Sequence, residues 1–163
     1  MGATDYYTLA TYERLLAEKA KGRISNVRLV FPNIEMRLVT GTMKGRAVNI
    51  HLLVSPNDPN HVTEARRFLA RLTFSAHGDS FACRDEDLIQ LGKKANSSLD
   101  GKSALSKGAE QFKVELDNLR KAYRESDWAK ENILIAVAGT ETDGTSGVRD
   151  GAYETLRAEI EKF

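Results

Sequence analysis

The residue pair best placed for chemistry is Glu35 and His51. Glu35 lies in the alternating stretch Ile34-Glu35-Met36-Arg37-Leu38, and His51 in Val48-Asn49-Ile50-His51-Leu52-Leu53-Val54. Both occupy the polar phase of a period-two pattern, the mark of a half-buried strand. The glycine-flanked segment Gly41-Thr42-Met43-Lys44-Gly45 joins the two stretches and predicts a hairpin. If that hairpin centres on Met43, Glu35 and His51 are equally far from the turn and directly opposed. Opposed Cβ atoms are about 5 Å apart. A carboxylate and an imidazole at that distance can share a metal ion or a proton. The same spacing also suits a cross-strand polar pair on a solvated face, and a one-residue slip in register would part the two groups.

Asp5 offers a second acid, just ahead of the first helical pattern. It reads either as the capping acid of that helix or as an acid at the C-terminal end of a strand that the start of this chain removes. A third feature is the loop Gly139 to Gly147. It follows an apolar stretch and precedes a helical one, a position that favours ligands in α/β folds. Asp143, Gly144, Thr145 and Ser146 are its candidate phosphate-cradling residues. The lysine and spacing of a P-loop are absent from it. A solvated loop is the other reading. His61 and His77 read as surface residues near a helix start and a turn. The single cysteine, Cys83, permits no intrachain disulfide and no cysteine-based metal site; it reads as a buried structural thiol. The basic clusters Lys19-Lys21-Arg23 and Arg66-Arg67-Arg71 read as solvated faces.

These residues need elements to position them. A helix is expected from Leu9 to Lys21, capped by Thr8 and closed by Gly22. Val27 to Phe31 alternates as a first strand, with Pro32 and Asn33 as an interruption before the next. Asp58-Pro59 predicts a helix start, with Asp58 as the cap and Pro59 at the first helical position. Thr73–Ala76 and Ser80–Cys83 flank His77-Gly78-Asp79 as a small hairpin. Asp85 to Ala95 is helical, and residues 96–103 form a polar loop. Ala104 to Glu125 reads as one long helix with a seam of Leu105, Ala109, Phe112, Leu116, Leu119 and Tyr123. Ile133 to Ala138 is a continuous apolar run, expected as a strand covered on both faces. A last helix is expected from Asp150 to Lys162, with Ala152, Tyr153, Leu156 and Ile160 inward.

The chain of 163 residues is 41% hydrophobic and 29% charged, within the globular range. A formal net charge of +1 gives no global drive toward nucleic acid or membrane. No run of about 18 apolar residues occurs, and the N-terminus lacks the basic start and apolar stretch of a secretory signal. With one thiol, a reducing, cytoplasmic setting is expected. The overall reading is an α/β (or α+β) fold in a single domain over 1–163. Within it, 1–58 forms a β/α core, 59–131 a mostly helical insertion with a small hairpin, and 132–163 a strand, loop and helix returning to the core.

Three segments resemble the PHP-type metal-dependent phosphoesterases: Thr4-Asp5-Tyr6-Tyr7-Thr8, Phe31-Pro32-Asn33-Ile34-Glu35 and Val48-Asn49-Ile50-His51-Leu52-Leu53. Phe81-Ala82-Cys83-Arg84-Asp85-Glu86-Asp87-Leu88, Gln111-Phe112-Lys113-Val114 and Asp143-Gly144-Thr145-Ser146-Gly147 resemble the branch of that family fused to a large SMC-like or AAA-type ATPase (TrlF-like). The resemblance implies a distorted or partial β/α-barrel with divalent metal ions (Zn, Mn or Mg) at the strand ends. It implies phosphoester hydrolysis by metal-generated hydroxide, in a longer polypeptide or beside an ATPase partner active in DNA repair or defence. Glu35, His51 and Asp5 match its metal-ligand positions. Tyr6 stands where its Thr-Asp-His segment has histidine, and its opening His-x-His and closing Asp-x-His are absent. The expected site is therefore incomplete in this chain, and a non-catalytic interaction or regulatory module is the alternative. On that alternative, the seam around Phe112 and Leu116 is the candidate exposed surface. Nucleic-acid binding is a weaker third reading.

Overall fold

The computed structural model of the chain describes residues 1–41 and 47–137. Among them the architecture is mixed α/β. A first sheet holds β1 (Gly2–Tyr6), β2 (Phe31–Gly41), β3 (Ala47–Val54) and β6 (Ile133–Val137) in the order β1-β2-β3-β6. β1 runs parallel to β2 through the crossover helix α1 (Ala10–Ala20), and the other two pairings are antiparallel. The sheet formed by these strands is open, with β1 and β6 at its edges.

Period-two patterning decides which face is buried. Ile34, Met36 and Leu38 of β2 and Val48, Ile50, Leu52 and Val54 of β3 are all at most 1% exposed. They share one core with residues of α2 (His61–Leu69), α3 (Asp85–Ala95) and α5 (Leu116–Arg124), together with Phe112 and Val114. Each such aliphatic side chain contributes roughly 1.5–3 kcal/mol through burial. A second cluster of Ala3, Tyr12 and Val30 seats α1 on the sheet.

β2 is one strand, not two, and residues 27–30 are irregular. Pro32 is tolerated because its missing N–H falls on the edge away from β1. Phe31 N donates to Met1 O, and Tyr7 N to Glu35 O, so the odd residues of β2 serve β1. Pairing with β3 begins only at Asn33.

The expected long helix is also divided. α4 (Gly101–Gln111) and α5 are separated by extended backbone, with ψ 136° at Phe112 and 129° at Glu115. Helical periodicity does not register this break. Val114 competes for the segment by bonding along the free edge of β2 beyond the end of β1: Val114 N donates to Arg37 O, and Val39 N to Val114 O. Phe112 is fully buried, so the seam around it is core and not a surface. α4 instead packs on α3 at a glycine crossing. A Cβ on Gly92 would lie 1.9 Å from Ala104 O, and one on Gly108 1.8 Å from Leu88 O. The polar loop expected over residues 96–103 ends early, since α4 begins at Gly101.

Smaller expectations divide similarly. The hairpin of β4 (Thr73–Ala76) and β5 (Asp79–Ala82) forms around a two-residue turn, with φ 53° at His77 and 81° at Gly78, the signs a type I′ turn requires. Gly22 follows α1 with φ 79°. Thr8 and Asp58 are not side-chain caps of α1 and α2: the N-cap residues are Leu9 and Asn60, neither of which makes a side-chain cap bond. β6 is an edge strand among those described, and Leu134 is 66% exposed, so it is not covered on both faces. An apolar run alone does not distinguish an edge from a centre. α6 (Asp127–Asn132) precedes it, with the Ser126 side chain accepting from Ala129 N. The loop 139–147, with Asp143, Gly144, Thr145 and Ser146, and the last helix, 150–162, lie outside the described residues.

Candidate functional site

The polar phase of the sheet carries the site. In the β2–β3 ladder Glu35 is paired directly with His51, as the hairpin symmetry predicts. The register shifts only beyond Arg37, where Gly41 pairs with Ala47. Asn33, Glu35 and Arg37 on β2, and Asn49 and His51 on β3, alternate with the buried residues and are half-buried. Tyr6 of β1 joins them: its hydroxyl donates to Glu35 Oε1 at 2.7 Å. Asn49 Nδ2 donates to the same oxygen, also at 2.7 Å. Burial, and then the bond to the Glu35 carboxylate, raise the Tyr6 phenol above its ordinary value, so it remains a donor. The Arg37 guanidinium lies 4.8 Å over the Tyr6 ring.

His51 is oriented by a different neighbour. Its Nδ1 lies 3.1 Å from Asn33 Oδ1, while Asn33 Nδ2 bonds Thr4 Oγ1 at 2.8 Å. An amide oxygen only accepts, so Nδ1 carries a proton, and in the neutral ring Nε2 keeps the lone pair. This is how a metal-ligating histidine is commonly held, with its second nitrogen donating to an oxygen. Beside Glu35, Asn49 Oδ1 is buried with no hydrogen-bond partner. A buried orphan acceptor is costly, and a cation or donor nearby would relieve it. The donor types (imidazole nitrogen, carboxylate, amide oxygen) suit a divalent ion. Their number is small, and the described residues contain no group of three or more His, Cys, Asp or Glu able to hold a metal.

Asp5 is not brought to this face. Its neighbour Tyr6 points toward Glu35, so the strand alternation sends Asp5 the other way, toward α1. There Asp5 Oδ2 accepts from Thr11 N at 3.0 Å and Thr11 Oγ1 at 3.1 Å. Asp5 thus does the capping work that Leu9 cannot.

Sequence reasoning missed two features. His61 is buried, not superficial: Nδ1 is 2.6 Å from Asp58 O and Nε2 is 2.8 Å from the Tyr12 hydroxyl, which donates to it in the neutral ring. The Asp58 carboxyl accepts from Asn60 N and Trp128 Nε1, bonds that hold it below the usual carboxylate range and tie the start of α2 to α6. The aromatic positions Tyr12 and Trp128 were the available signal, but their pairing is long-range. Tyr7 was missed as well. Buried at φ 58°, it accepts from Arg37 N at 2.7 Å and donates to Phe112 O at 2.9 Å. That backbone conformation is strained for a non-glycine residue, and the two bonds and the buried ring offset the cost.

Cys83 is buried, its thiol raised by desolvation, as suits a structural residue. His77 is exposed on its turn. Lys21 and Arg23 pair with Glu18, Arg66 with Glu13, and Arg67 with Glu64. No described helix is long and apolar enough to cross a membrane. No family model, curated protein or solved structure matches the chain.

Proposed function

We propose that this chain is part of a PHP-like metal-dependent phosphoesterase region that works within a longer polypeptide or beside a large ATPase, in DNA repair or defence. The barrel character of that family belongs to the proposal too. The supporting observation is the direct Glu35–His51 pairing, with the Nδ1 of His51 engaged by Asn33 so that Nε2 is left for a ligand. Glu35 and His51 would hold the ion, and the orphaned Asn49 oxygen adds a third candidate donor. Stable sites usually have three or four protein ligands, so further ligands come from residues beyond this set. A bound divalent ion would supply a hydroxide nucleophile and a clamp on the phosphate. This chain's own contribution is to orient the imidazole through Asn33 and the carboxylate through Tyr6 and Asn49.

The test is metal content and phosphodiesterase turnover of this chain beside the product of its full genomic reading frame. Metal-dependent turnover in the longer product, lost in Glu35→Gln and His51→Ala, supports the reading. Strong turnover by this chain alone overturns the incomplete site. A second reading, a non-catalytic module docking on an ATPase, draws on Leu29 and Leu134, which are 53% and 66% exposed and line one groove. It predicts no metal uptake even by the full product.

A further inference from the structure

A second concavity lies where β1 ends and α1 begins. It is a cleft of about 690 Å³ between α1 and α4, inside the roughly 300–1,000 Å³ range of small-molecule sites. Three cationic side chains line it: Arg14 of α1, Arg37 of β2 and Lys102 of α4. Two carboxylates also line it, and both are engaged. Asp5 holds Thr11, and Glu110 pairs with Lys107 at 3.0 Å. Arg37 is anchored to Glu110 O at 3.1 Å and over Tyr6. Arg14 and Lys102 are exposed and have no hydrogen bond or ion pair among the described residues. Other exposed cations without a side-chain partner among the described residues, such as Arg28 and Arg71, lie outside the cleft.

The cleft thus presents a net positive lining with two unspent cations. The hydroxyls of Thr8 and Ser106 also line it, as do the apolar side chains of Leu105 and Ala109. Guanidinium and ammonium groups beside hydroxyls recognise phosphate oxygens. The apolar strip leaves room for an uncharged body larger than phosphate itself. Because Asp5 already takes the Thr11 amide, the anion would be held by side chains and not by the helix end.

We infer that the cleft between α1 and α4 binds a small phosphorylated molecule, its phosphate held by Arg14 and Lys102 and its body lying along Leu105 and Ala109. The inference does not depend on a metal at Glu35 and His51.

The test is calorimetric titration of the 163-residue chain with inorganic pyrophosphate in low salt, with chelator present and no turnover measured. The expected result is saturable one-to-one binding that weakens at least tenfold in R14Q/K102Q. It is unchanged in R71Q, which removes an exposed arginine outside the cleft, and in H51A. It also fades as added chloride screens the charges. Thermal melting of each variant confirms that these surface changes leave the fold intact. Absence of saturable binding overturns the inference, as does equal affinity in R14Q/K102Q. Loss of binding in H51A would place the anion on the sheet face and overturn it too.

Discussion

Asn33 Oδ1 lies 3.1 Å from His51 Nδ1, on the strand facing His51 and two residues before the carboxylate that pairs with it. This contact decides which imidazole nitrogen holds the proton. It therefore fixes the orientation of the imidazole beside Glu35 on the sheet.

On the proposed metal site, Asn33→Ala should weaken divalent-metal affinity of the full reading-frame product by about 10- to 100-fold, the usual effect of losing a partner that orients a ligating histidine. His51→Ala should abolish the site. Competition against a chelating dye measures both, and an unchanged affinity in Asn33→Ala would show that the contact orients nothing.

Asp5→Ala should cost about 1 kcal/mol of stability, the usual effect of removing a helix cap, and leave metal affinity at Glu35 and His51 unaltered. Urea denaturation and the same dye assay separate the two effects. A large loss of metal with unchanged stability would instead make Asp5 a ligand.

Gly92→Ala and Gly108→Ala should each destabilise the fold by about 3 kcal/mol, since the new methyl group meets backbone that cannot move aside locally. The double variant should cost less than the sum of the two, because helices already forced apart relieve the second clash. Urea midpoints of the three variants test this.

Stability should fall in alkali. Burial raises the Cys83 thiol and the Tyr7 phenol above their ordinary values of 9.0 and 10.0. The folded chain then holds protons that the unfolded chain releases, so the contribution is complete below those ordinary values and declines as pH rises past them. Urea midpoints should drop first near pH 9 and more steeply past pH 10. Cys83→Ala should remove the first decline and keep the second.

Part of this was legible in the sequence because it is local. Alternation of period two over residues 34–38 and 48–54 dictates the buried face, since a one-residue slip would bury Glu35 and expose Ile34; the Glu35–His51 register needs in addition a centre for the glycine-flanked hairpin. The His77-Gly78 turn and the closing glycine of α1 are equally short-range. Tertiary structure decided where the outcome depends on partners distant in sequence. Val114 broke a helix that periodicity favoured because Arg37 and Val39 offered unpaired backbone groups. His61 was buried beside Tyr12, whose hydroxyl lies within hydrogen-bond distance of its Nε2, whereas the capping of α1 by Asp5, six residues from Thr11, was one of the two readings the sequence offered. The Val114 and His61 contacts join polar groups distant in sequence, and no pattern within a few residues encodes them.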